Sequence, residues 1–518
     1  MLNLLTILTA LGFLAAMSMN AIRFMHYFQL NSYQTVTQMN WMRKNPSKWM
    51  LNPFFFLLGL ICILLTNTLS FVFLPIIFVL AAIWTKPKKA KKPLVYTKRV
   101  QRMLITETLL TLLAILIPAL LYEEQATAIA MLCWYVISPL LVIAANFINK
   151  PIEKAVNQHF INDAKRILKQ MPNLKIIGVT GSYGKTSVKY YLNTLLRAKY
   201  NVLMTPESYN TPMGVVMTIR GSLRATHELF ICEMGAKKVG EIKEICDIVD
   251  PQHGIITSIG PQHLETFFTL DNVKKTKFEL ADALPSDGLL LLNGDDKNIS
   301  DVAYQKPHIT YAIHNKADYQ AYDLEINETG TSFSVRTPDG ECERFTTKLI
   351  GEHNVLNITG AIAFSHQLGI SLAALKPQVR KLECVPHRLQ LLDKGNALVI
   401  DDAYNSNPSG TKAALDTLSL ISGFKILVTP GMVELGAKQD ECNAEFGKNA
   451  ASVCDFVILV GKRQTECIYQ GLTDAGYPAD KIYVAETINE ALTKAYAINT
   501  NGQKRVILLE NDLPDNYM

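Results

Sequence analysis

A glycine-rich segment in the middle of the chain, GVTGSYGKTS (178–187), has the composition of a phosphate-binding loop. It follows the β-branched run LKIIGVT and precedes the helical run VKYYLNTLLRAKY, so the pattern predicts a strand, a loop and a helix. Such a loop points backbone N–H groups at phosphate, with Lys185 on the β/γ oxygens and the Thr186 hydroxyl on Mg²⁺. The common G-x-x-x-x-G-K-[ST] pattern requires glycine at position 179, which holds valine; glycines stand instead at 178, 181 and 184.

The spacing G-x-x-G-x-x-G-K-T resembles that of the Mur ligases, the ATP-dependent amide-forming enzymes of peptidoglycan precursor synthesis. Further segments similar to the family's signatures follow in the family's order. In the central region they are NTPMG (210–214), ICEMGAKKVGEI (231–242), IGPQHLE (259–265), KTKFEL (275–280), LLNGDD (291–296) and GEHNVLN (351–357). Nearer the C-terminus they are PHRLQ (386–390), DDAYNSNPSG (401–410) and PGMVELG (430–436). The last two look most like the MurF type, which adds D-alanyl-D-alanine to UDP-N-acetylmuramoyl-tripeptide.

The resemblance implies a site that binds ATP and Mg²⁺. Making an amide from a carboxylate requires activation, and transfer of the ATP γ-phosphoryl group gives an acyl phosphate that an amine can attack. Neutralisation of charge is therefore the main catalytic need. The implied metal ligands are Thr186, Glu233, His263 and, if carbamylated by CO₂, Lys277. The implied catalytic residues are Lys185, Lys277, His263 and His353. The implied nucleotide-binding residues are Gly178, Thr180, Gly181, Ser182, Gly184, Lys185, Thr186, Ser187, Asn293, Asn354, Asn357, Arg388 and Asp402.

Taken without the resemblance, several of these residues have ordinary structural interpretations. Glu233 ends one predicted strand and His263 follows another, which places both at the carboxyl edge of a parallel sheet, where ligands bind. Alone, Lys277 would be interpreted as a solvated lysine. Asp401 and Asp402 are neighbours on one predicted strand, so their side chains point to opposite faces and do not form a catalytic pair.

Composition divides the chain into two parts. Its 518 residues are 49% hydrophobic and 19% charged, which excludes both a single small domain and a disordered chain. Residues 1–150 hold 13 Lys+Arg against 3 Asp+Glu, whereas the remainder holds 38 against 43. The basic balance therefore belongs to a membrane neighbourhood and not to nucleic-acid binding. The nine cysteines form no C-x-x-C pair, which indicates reduced thiols and no zinc site.

Five apolar stretches near the length of a bilayer span occupy the N-terminal part: 2–22, 50–67, 70–84, 104–122 and 126–148. A tight turn at Asn67–Ser70 separates the second from the third. The basic segments after the first and third stretches are expected to face the cytoplasm. Five crossings then put the N-terminus outside and everything after Lys150 in the cytoplasm, at the cytoplasmic membrane.

The predicted fold is an α-helical membrane domain followed by α/β domains. The expected divisions are a membrane domain (1–150), a cytoplasmic linker helix (151–172), a central P-loop ATP-binding domain of Mur ligase type (173–385) and a Rossmann-like C-terminal domain (386–518). Strands near 397–401, 424–429, 455–460, 481–485 and 504–509 are predicted in the last of these. A small antiparallel addition is predicted for 319–349.

The predicted function is a membrane-anchored, ATP-dependent ligase that joins an amino acid or a D-Ala-D-Ala-like dipeptide to a cell-wall carboxylate acceptor. Soluble Mur ligases carry an N-terminal domain for the UDP-muramoyl group, and no such domain fits before the phosphate loop. The acceptor is therefore expected to be lipid-linked or handled at the bilayer, and cell-wall enzymes are candidate partners. The alternatives are a polyglutamate-type ligase of capsule or folate metabolism, a noncatalytic nucleotide-binding scaffold, and a transporter driven by a P-loop ATPase.

Overall fold

The computed structural model of the protein describes residues 2–66, 70–87, 92–404 and 406–512. The described chain separates into two compact units, one ending at Gln158 and the other covering His159–Asp512. Residues 67–69 of the predicted turn at Asn67–Ser70, and residues 88–91 of the basic segment, lie outside the described residues.

The first unit is helical, and each of the five predicted apolar stretches overlaps a helix. Its helices are α1 (Leu2–Leu30), α2 (Thr35–Lys44), α3 (Leu51–Thr66), α4 (Ser70–Thr85), α5 (Lys98–Leu121) and α6 (Glu124–Lys169). Helix α2 was not predicted, because its sequence TVTQMNWMRK is too polar to stand out as an apolar segment.

Three of these helices are long and apolar enough to cross a membrane by length and composition: Leu4–Leu30, Lys98–Leu121 and Glu124–Lys169. Helices α3 and α4 have 16 residues each. At ~1.5 Å per residue each extends about 24 Å, less than the ~30 Å hydrocarbon core of a bilayer. They pack with α1 and α6 around a shared apolar cluster that includes Phe13, Phe55, Leu74 and Leu132.

Helix α6 combines two elements that the sequence predicts as separate, the apolar span 126–148 and the linker helix 151–172. Pro139 and Pro151 lie inside it without ending it. Each proline removes one backbone donor, and the residues between and around them favour helix, so the helix continues. In its last turns Ala164 is fully buried in the core of the second unit, and Asp163 accepts from Arg220 Nε at 2.7 Å.

Within the described residues, nine strands form the central sheet in the order β2-β3-β1-β4-β5-β6-β7-β8-β9. They are β1 (Lys175–Thr180), β2 (Val202–Met204), β3 (Leu229–Glu233), β4 (His253–Ile256), β5 (Leu290–Asn293), β6 (Ile309–Ala312), β7 (Tyr319–Asn327), β8 (Gly330–Arg336) and β9 (Cys342–Thr347). Pairing is parallel from β2 to β7 and antiparallel from β7 to β9. The antiparallel addition predicted for 319–349 is therefore present, as a continuation of the parallel sheet.

Helices cover both faces of this sheet, so its inner strands are apolar on both sides. They are α7 (Lys185–Leu196), α8 (Pro212–Ser222), α9 (Glu241–Val249), α10 (Leu264–Phe267), α11 (Leu270–Ala283), α12 (Lys297–Ser300), α13 (Glu352–Gln367) and α14 (Leu372–Arg380). One core contains α7 and α13, and the other contains α8, α9 and α11. The carboxyl ends of β1, β3 and β4 consequently meet at one edge of the sheet.

The C-terminal part contains a second sheet in the order β10-β11-β15-β12-β13-β14. Its strands are β10 (Gln390–Asp393), β11 (Ala397–Asp402), β12 (Phe424–Thr429), β13 (Phe456–Val460), β14 (Ile482–Ala485) and β15 (Arg505–Glu510). Its helices are α15 (Pro408–Leu420), α16 (Gln439–Ala451), α17 (Glu466–Asp474) and α18 (Ile488–Ala497). The five predicted strands match β11 to β15 within one residue. The prediction missed β10, a short antiparallel edge strand that is only half buried.

Candidate active site

The glycine loop connects β1 to α7 and leaves the first turn of that helix uncapped. Gly184 occupies the N-cap position with φ 78°, in the left-handed region that favours glycine. In the described part of the chain, no protein group accepts a hydrogen bond from the backbone N–H of Lys185, Thr186 or Ser187. A helix N-terminus with three free donors is a binding site for an anion.

Contacts to the neighbouring strand ends hold this loop in shape. The Ser182 N–H donates to Ser258 O at 2.7 Å, and the Lys185 ammonium donates to Ser182 O at 2.9 Å. Gly181 adopts φ 153° and lies so close to β4 that a Cβ there would come within 2.1 Å of Thr257 Oγ1. The loop is therefore packed against the segment after β4 and requires glycine at position 181.

Two predicted nucleotide contacts have structural roles in this arrangement. The Thr180 hydroxyl is buried and donates to Met234 O at 2.8 Å. Gly178 lies inside β1, where a Cβ would come within 2.5 Å of Leu280 Cδ1. The absence of a side chain at Gly178 therefore allows α11 to pack closely on the sheet.

Glu233, at the end of β3, lies at the centre of a buried polar cluster beside the loop. Its Oε1 accepts from Thr186 Oγ1 at 3.2 Å and from Asn210 Nδ2 at 3.0 Å. Its Oε2 is 3.0 Å from Lys189 Nζ, and neither side chain is more than 1% exposed. Burial opposes ionisation, but the charges of Lys189 and Lys185 prevail and lower the pKa of Glu233. Glu233 is therefore a carboxylate held against the Thr186 hydroxyl.

Arg388 brings the C-terminal part of the chain to the same cluster. Its Nη2 donates to Thr186 Oγ1 at 3.4 Å, and its guanidinium lies 4.7 Å from the centre of the Tyr404 ring. The planar guanidinium suits phosphate recognition. Lys185, Thr186, Glu233 and Arg388 thus lie together beside the glycine loop.

Asp401 and Asp402 point in opposite directions on β11, as their adjacency predicts. Asp401 Oδ2 is 2.8 Å from His387 Nδ1. Asp402 Oδ1 accepts from Leu389 N at 3.1 Å, and its register partner on β15 is Glu510. Burial raises the pKa of Asp402 to about 6 and that of Glu510 well above its ordinary value. A carboxyl pair therefore does exist here, but it joins neighbouring strands.

His263 precedes α10 in the left-handed conformation and contacts the C-terminal part of the chain. Its Nδ1 lies 2.5 Å from Glu434 Oε2, and Lys237 Nζ lies 3.5 Å from Glu434 Oε1. Burial lowers the pKa of His263, and the hydrogen bond with Glu434 offsets only part of this decrease. Burial opposes ionisation of Glu434 as well, but His263 and Lys237 bring its pKa down to about 2. Burial therefore favours the neutral imidazole of His263 in its contact with the Glu434 carboxylate.

Burial disfavours the charged forms of both Lys277 and His353. Lys277 is 2% exposed in α11, and burial, reinforced by the charge of Lys185, holds its pKa well below the ordinary value. Within residues 92–404 and 406–512, no carboxylate forms an ion pair with it. Burial likewise lowers the pKa of His353, at the start of α13, to about 4.

The three predicted asparagines differ in their surroundings. Asn293 donates to Thr257 O at 2.8 Å and accepts from Asp295 N at 2.9 Å. Asn354 accepts from the Tyr191 hydroxyl at 2.7 Å, so it ties α13 to α7. Asn357 alone lies at the phosphate loop, because a Cβ on Gly184 would come within 2.8 Å of its Oδ1.

The donor set fits magnesium in part. The described residues contain no cluster of three or more His, Cys, Asp or Glu side chains that could hold a metal by themselves. Magnesium usually binds through one or two carboxylates and substrate phosphates, and the Glu233 carboxylate with the Thr186 hydroxyl meets that pattern. Lys277 would fit only as a carbamate, because an amine in its ordinary form supplies no oxygen.

Three residues of this site were missed by the residue-by-residue prediction: Lys189, Asn210 and Glu434. Asn210 begins the segment NTPMG, and Glu434 lies in PGMVELG, so both stand in segments already recognised as family signatures. Lys189 carries no such signal, because a lysine in a helical run is ordinarily solvated.

Comparisons with known proteins agree with this geometry. The Mur ligase middle domain matches residues 179–365, and the Mur ligase glutamate ligase domain matches residues 387–509. The chain is 31% identical over 336 residues to the UDP-N-acetylmuramoyl-tripeptide–D-alanyl-D-alanine ligase of Escherichia coli, covering 62% of this chain and 73% of that protein. The ligase of the same name from Bacillus subtilis is 31% identical, over 55% of this chain and 62% of that protein.

Solved structures give the same answer. The crystal structure of MurF from Acinetobacter baumannii superimposes with a TM-score of 0.63 and 27% identity, covering 69% of this chain and 77% of that one. The two family matches fall within the predicted central and C-terminal domains and leave residues 1–178 outside both. The chain belongs to the Mur ligase family of ATP-dependent ligases.

Proposed function

We propose that this protein is a membrane-anchored ligase of MurF type that forms an amide through an acyl phosphate. The amine substrate would be an amino acid or a dipeptide resembling D-alanyl-D-alanine, and the acceptor a carboxylate of a cell-wall precursor. The observation that carries the proposal is the convergence of Lys185, Thr186, Glu233 and Arg388 on the uncapped N-terminus of α7. The activity for which the relatives are named supports the choice of D-alanyl-D-alanine.

Each of these residues has a defined task in such a reaction. ATP would supply the phosphoryl group that activates the carboxylate. The free N–H groups of α7 and the Lys185 ammonium would hold the phosphates, while Arg388 would neutralise charge that develops during transfer. Thr186 and Glu233 would hold Mg²⁺ once their mutual hydrogen bond opens. Because Arg388 comes from the C-terminal domain, the site is complete only while that domain is docked.

Lys277 and His263 would complete the metal-binding side of the site. An uncharged lysine amine can react with CO₂, and the carbamate formed would add a carboxylate-like group near the phosphate loop. His263 would contribute its Nε2 atom, since Nδ1 faces Glu434. His353 and Asn357 flank the same region from α13.

The acceptor is proposed to be lipid-linked or bound at the bilayer surface. Only residues 170–174 separate α6 from β1, and the stretch before residue 179 lies outside the family matches. No separate domain for a UDP-muramoyl group can occupy five residues. The apolar helices that precede β1 would anchor the catalytic domains beside a membrane-borne substrate. The basic segments between these helices indicate the cytoplasmic side of the membrane.

The test is a reaction with purified full-length protein in detergent. It would contain ATP, Mg²⁺, D-alanyl-D-alanine and UDP-N-acetylmuramoyl-tripeptide, with product mass and phosphate release followed together. Formation of the UDP-linked pentapeptide with stoichiometric phosphate, absent in Lys185→Ala, would establish the MurF-type activity and refute an exclusively lipid-linked acceptor.

A lipid-linked acceptor predicts a different outcome. The UDP-linked substrate would then give no product, and amide formation would appear when a lipid extract of bacterial membranes replaces it. Phosphate release that needs no amine in either reaction would contradict the ligase assignment altogether.

The pH dependence of ATP use should follow Lys185. Burial lowers the pKa of Lys185 to about 8. Its ammonium, the form that binds phosphate, is therefore present below that pH and is lost as pH rises through it. We expect kcat/KM for ATP to fall about tenfold per pH unit above ~8. Lys185→Arg should keep some activity, and that activity should not fall between about pH 8 and 10. If kcat/KM for ATP falls in parallel in the wild type and the variant, the decline does not come from Lys185.

A further inference from the structure

Glu434 lies in the loop that follows β12, and this loop is held rigidly. The Asn443 side chain accepts from Met432 N at 2.9 Å and donates to Met432 O at 3.0 Å. Asn511 Nδ2 donates to Gly431 O at 2.6 Å. Both asparagines are buried. The backbone that carries Glu434 is therefore fixed by the interior of the C-terminal domain.

Glu434 itself has an uncommon backbone conformation. Its φ is 64°, in the left-handed region that a residue with a side chain seldom adopts. Glycine could adopt this φ at position 434 without steric cost, yet the chain has glutamate there. An outlier of this kind suggests that the side chain is needed where the loop places it.

The Glu434 carboxylate reaches from the C-terminal domain to the imidazole of His263 in the central domain, with Oε2 and Nδ1 2.5 Å apart. A carboxylate can only accept a hydrogen bond, so Nδ1 carries a proton, and in the neutral imidazole Nε2 then keeps its lone pair. Metal-binding histidines are commonly oriented in this way, with one ring nitrogen donating to a carboxylate and the other bound to the metal.

We propose that Glu434 is a positioning residue, which fixes the tautomer and orientation of His263 and so makes its metal affinity depend on docking of the C-terminal domain. This inference rests on the proposed function, because it assumes that His263 faces Mg²⁺. The segment PGMVELG would then act on the metal site through His263, and Glu434 itself would not contact the substrate. Domain docking would then supply Arg388 and an oriented His263 together.

The chain offers a matched control for this idea. Lys237 Nζ is a second cationic neighbour of Glu434, at 3.5 Å, and the Lys237 side chain is 45% exposed. An exposed ion pair of this kind contributes little to stability. Lys237→Met therefore perturbs the same interdomain contact while leaving the bond between Glu434 and His263 in place.

The experiment titrates full-length protein with Mn²⁺ in the presence of a non-hydrolysable ATP analogue and measures bound metal by electron paramagnetic resonance. We expect Glu434→Leu to weaken the Mn²⁺ site to which His263 contributes by roughly 10–100-fold. Glu434→Gln should weaken it less, because an amide oxygen still accepts from Nδ1–H. Lys237→Met should stay within about twofold of wild type, and His263→Gln should reproduce the loss seen with Glu434→Leu.

A second measurement separates positioning from general damage. The Mg²⁺ concentration for half-maximal phosphate release should rise in Glu434→Leu, while the rate at saturating Mg²⁺ stays within a few-fold of wild type. Equal Mn²⁺ affinity in wild type and Glu434→Leu, or equal losses in Glu434→Leu and Lys237→Met, would overturn the inference. These results leave the ligase proposal intact as long as wild type forms an amide; failure of wild type to form one refutes that proposal separately.

Discussion

Replacing Glu233 with alanine is expected to destabilise the β1–α7–β3 region by about 3–5 kcal/mol and to abolish activity. The reason is the Lys189 ammonium, which is 0% exposed and has Glu233 3.0 Å away. Removing one partner of a buried ion pair leaves the other charge desolvated and uncompensated. Hydrogen exchange of the full-length protein, followed by mass spectrometry, would report the opening free energy of α7 and β3 directly.

A double variant separates stability from chemistry at this pair. Replacing both residues by apolar side chains of similar size, Glu233→Leu with Lys189→Met, should recover most of the lost protection, because buried ion pairs are often replaced without loss. The same variant should remain inactive, since no carboxylate is left to hold Mg²⁺. Recovery of activity together with stability would refute a metal-binding role for Glu233.

Loss of the Lys277 amine is expected to lower the rate of amide formation by roughly 10²–10³-fold, the usual effect of removing one charge-stabilising group. Lys277→Met keeps the length and burial of the side chain and removes the atom that can react with CO₂. Its fold should therefore be retained. Phosphate release and product mass, measured at saturating Mg²⁺ and bicarbonate, would determine the loss.

The matched control for Lys277 is Lys275, an exposed lysine two residues earlier on α11. Lys275→Ala should keep wild-type activity. Lys277→Ala, which leaves space in the interior, should regain part of its activity with added formate or acetate. Wild-type activity in Lys277→Met would refute the catalytic role, and a failure of short carboxylates to help Lys277→Ala would contradict the carbamate.

Local patterns were sufficient to predict most of the sheet architecture. The β-branched runs near 397–401 and 424–429 predicted β11 and β12, because strands buried on both faces appear as continuous apolar segments. Strand β10 was missed, since four half-buried residues at an edge carry no such pattern. The continuity of α6 was missed because its composition changes from apolar to polar near Lys150 while its helical propensity does not.

In the candidate site, too, some residues could be predicted from the sequence and others could not. The phosphate loop could be found from Gly181, Gly184 and Lys185, since its chemistry is contained in one short segment. The positions of Lys189 and Glu434 could not be found in this way. Burial of Lys189 depends on β3, and Glu434 meets His263 although the two are 171 positions apart in the sequence. Such contacts arise only when separate segments fold together, and local sequence does not encode them.

The short helices α3 and α4 have a consequence for the sidedness of the protein. Consecutive segments that both cross a bilayer, or both turn back within it, return the chain to the face from which it started. In the proposed topology, the side on which the catalytic domains lie is therefore determined by α1, α5 and α6 alone. If the chain spans a membrane as proposed, changes in the depth or length of the α3–α4 pair would leave the catalytic domains on the same side, whereas loss of any one of the three long helices would invert them.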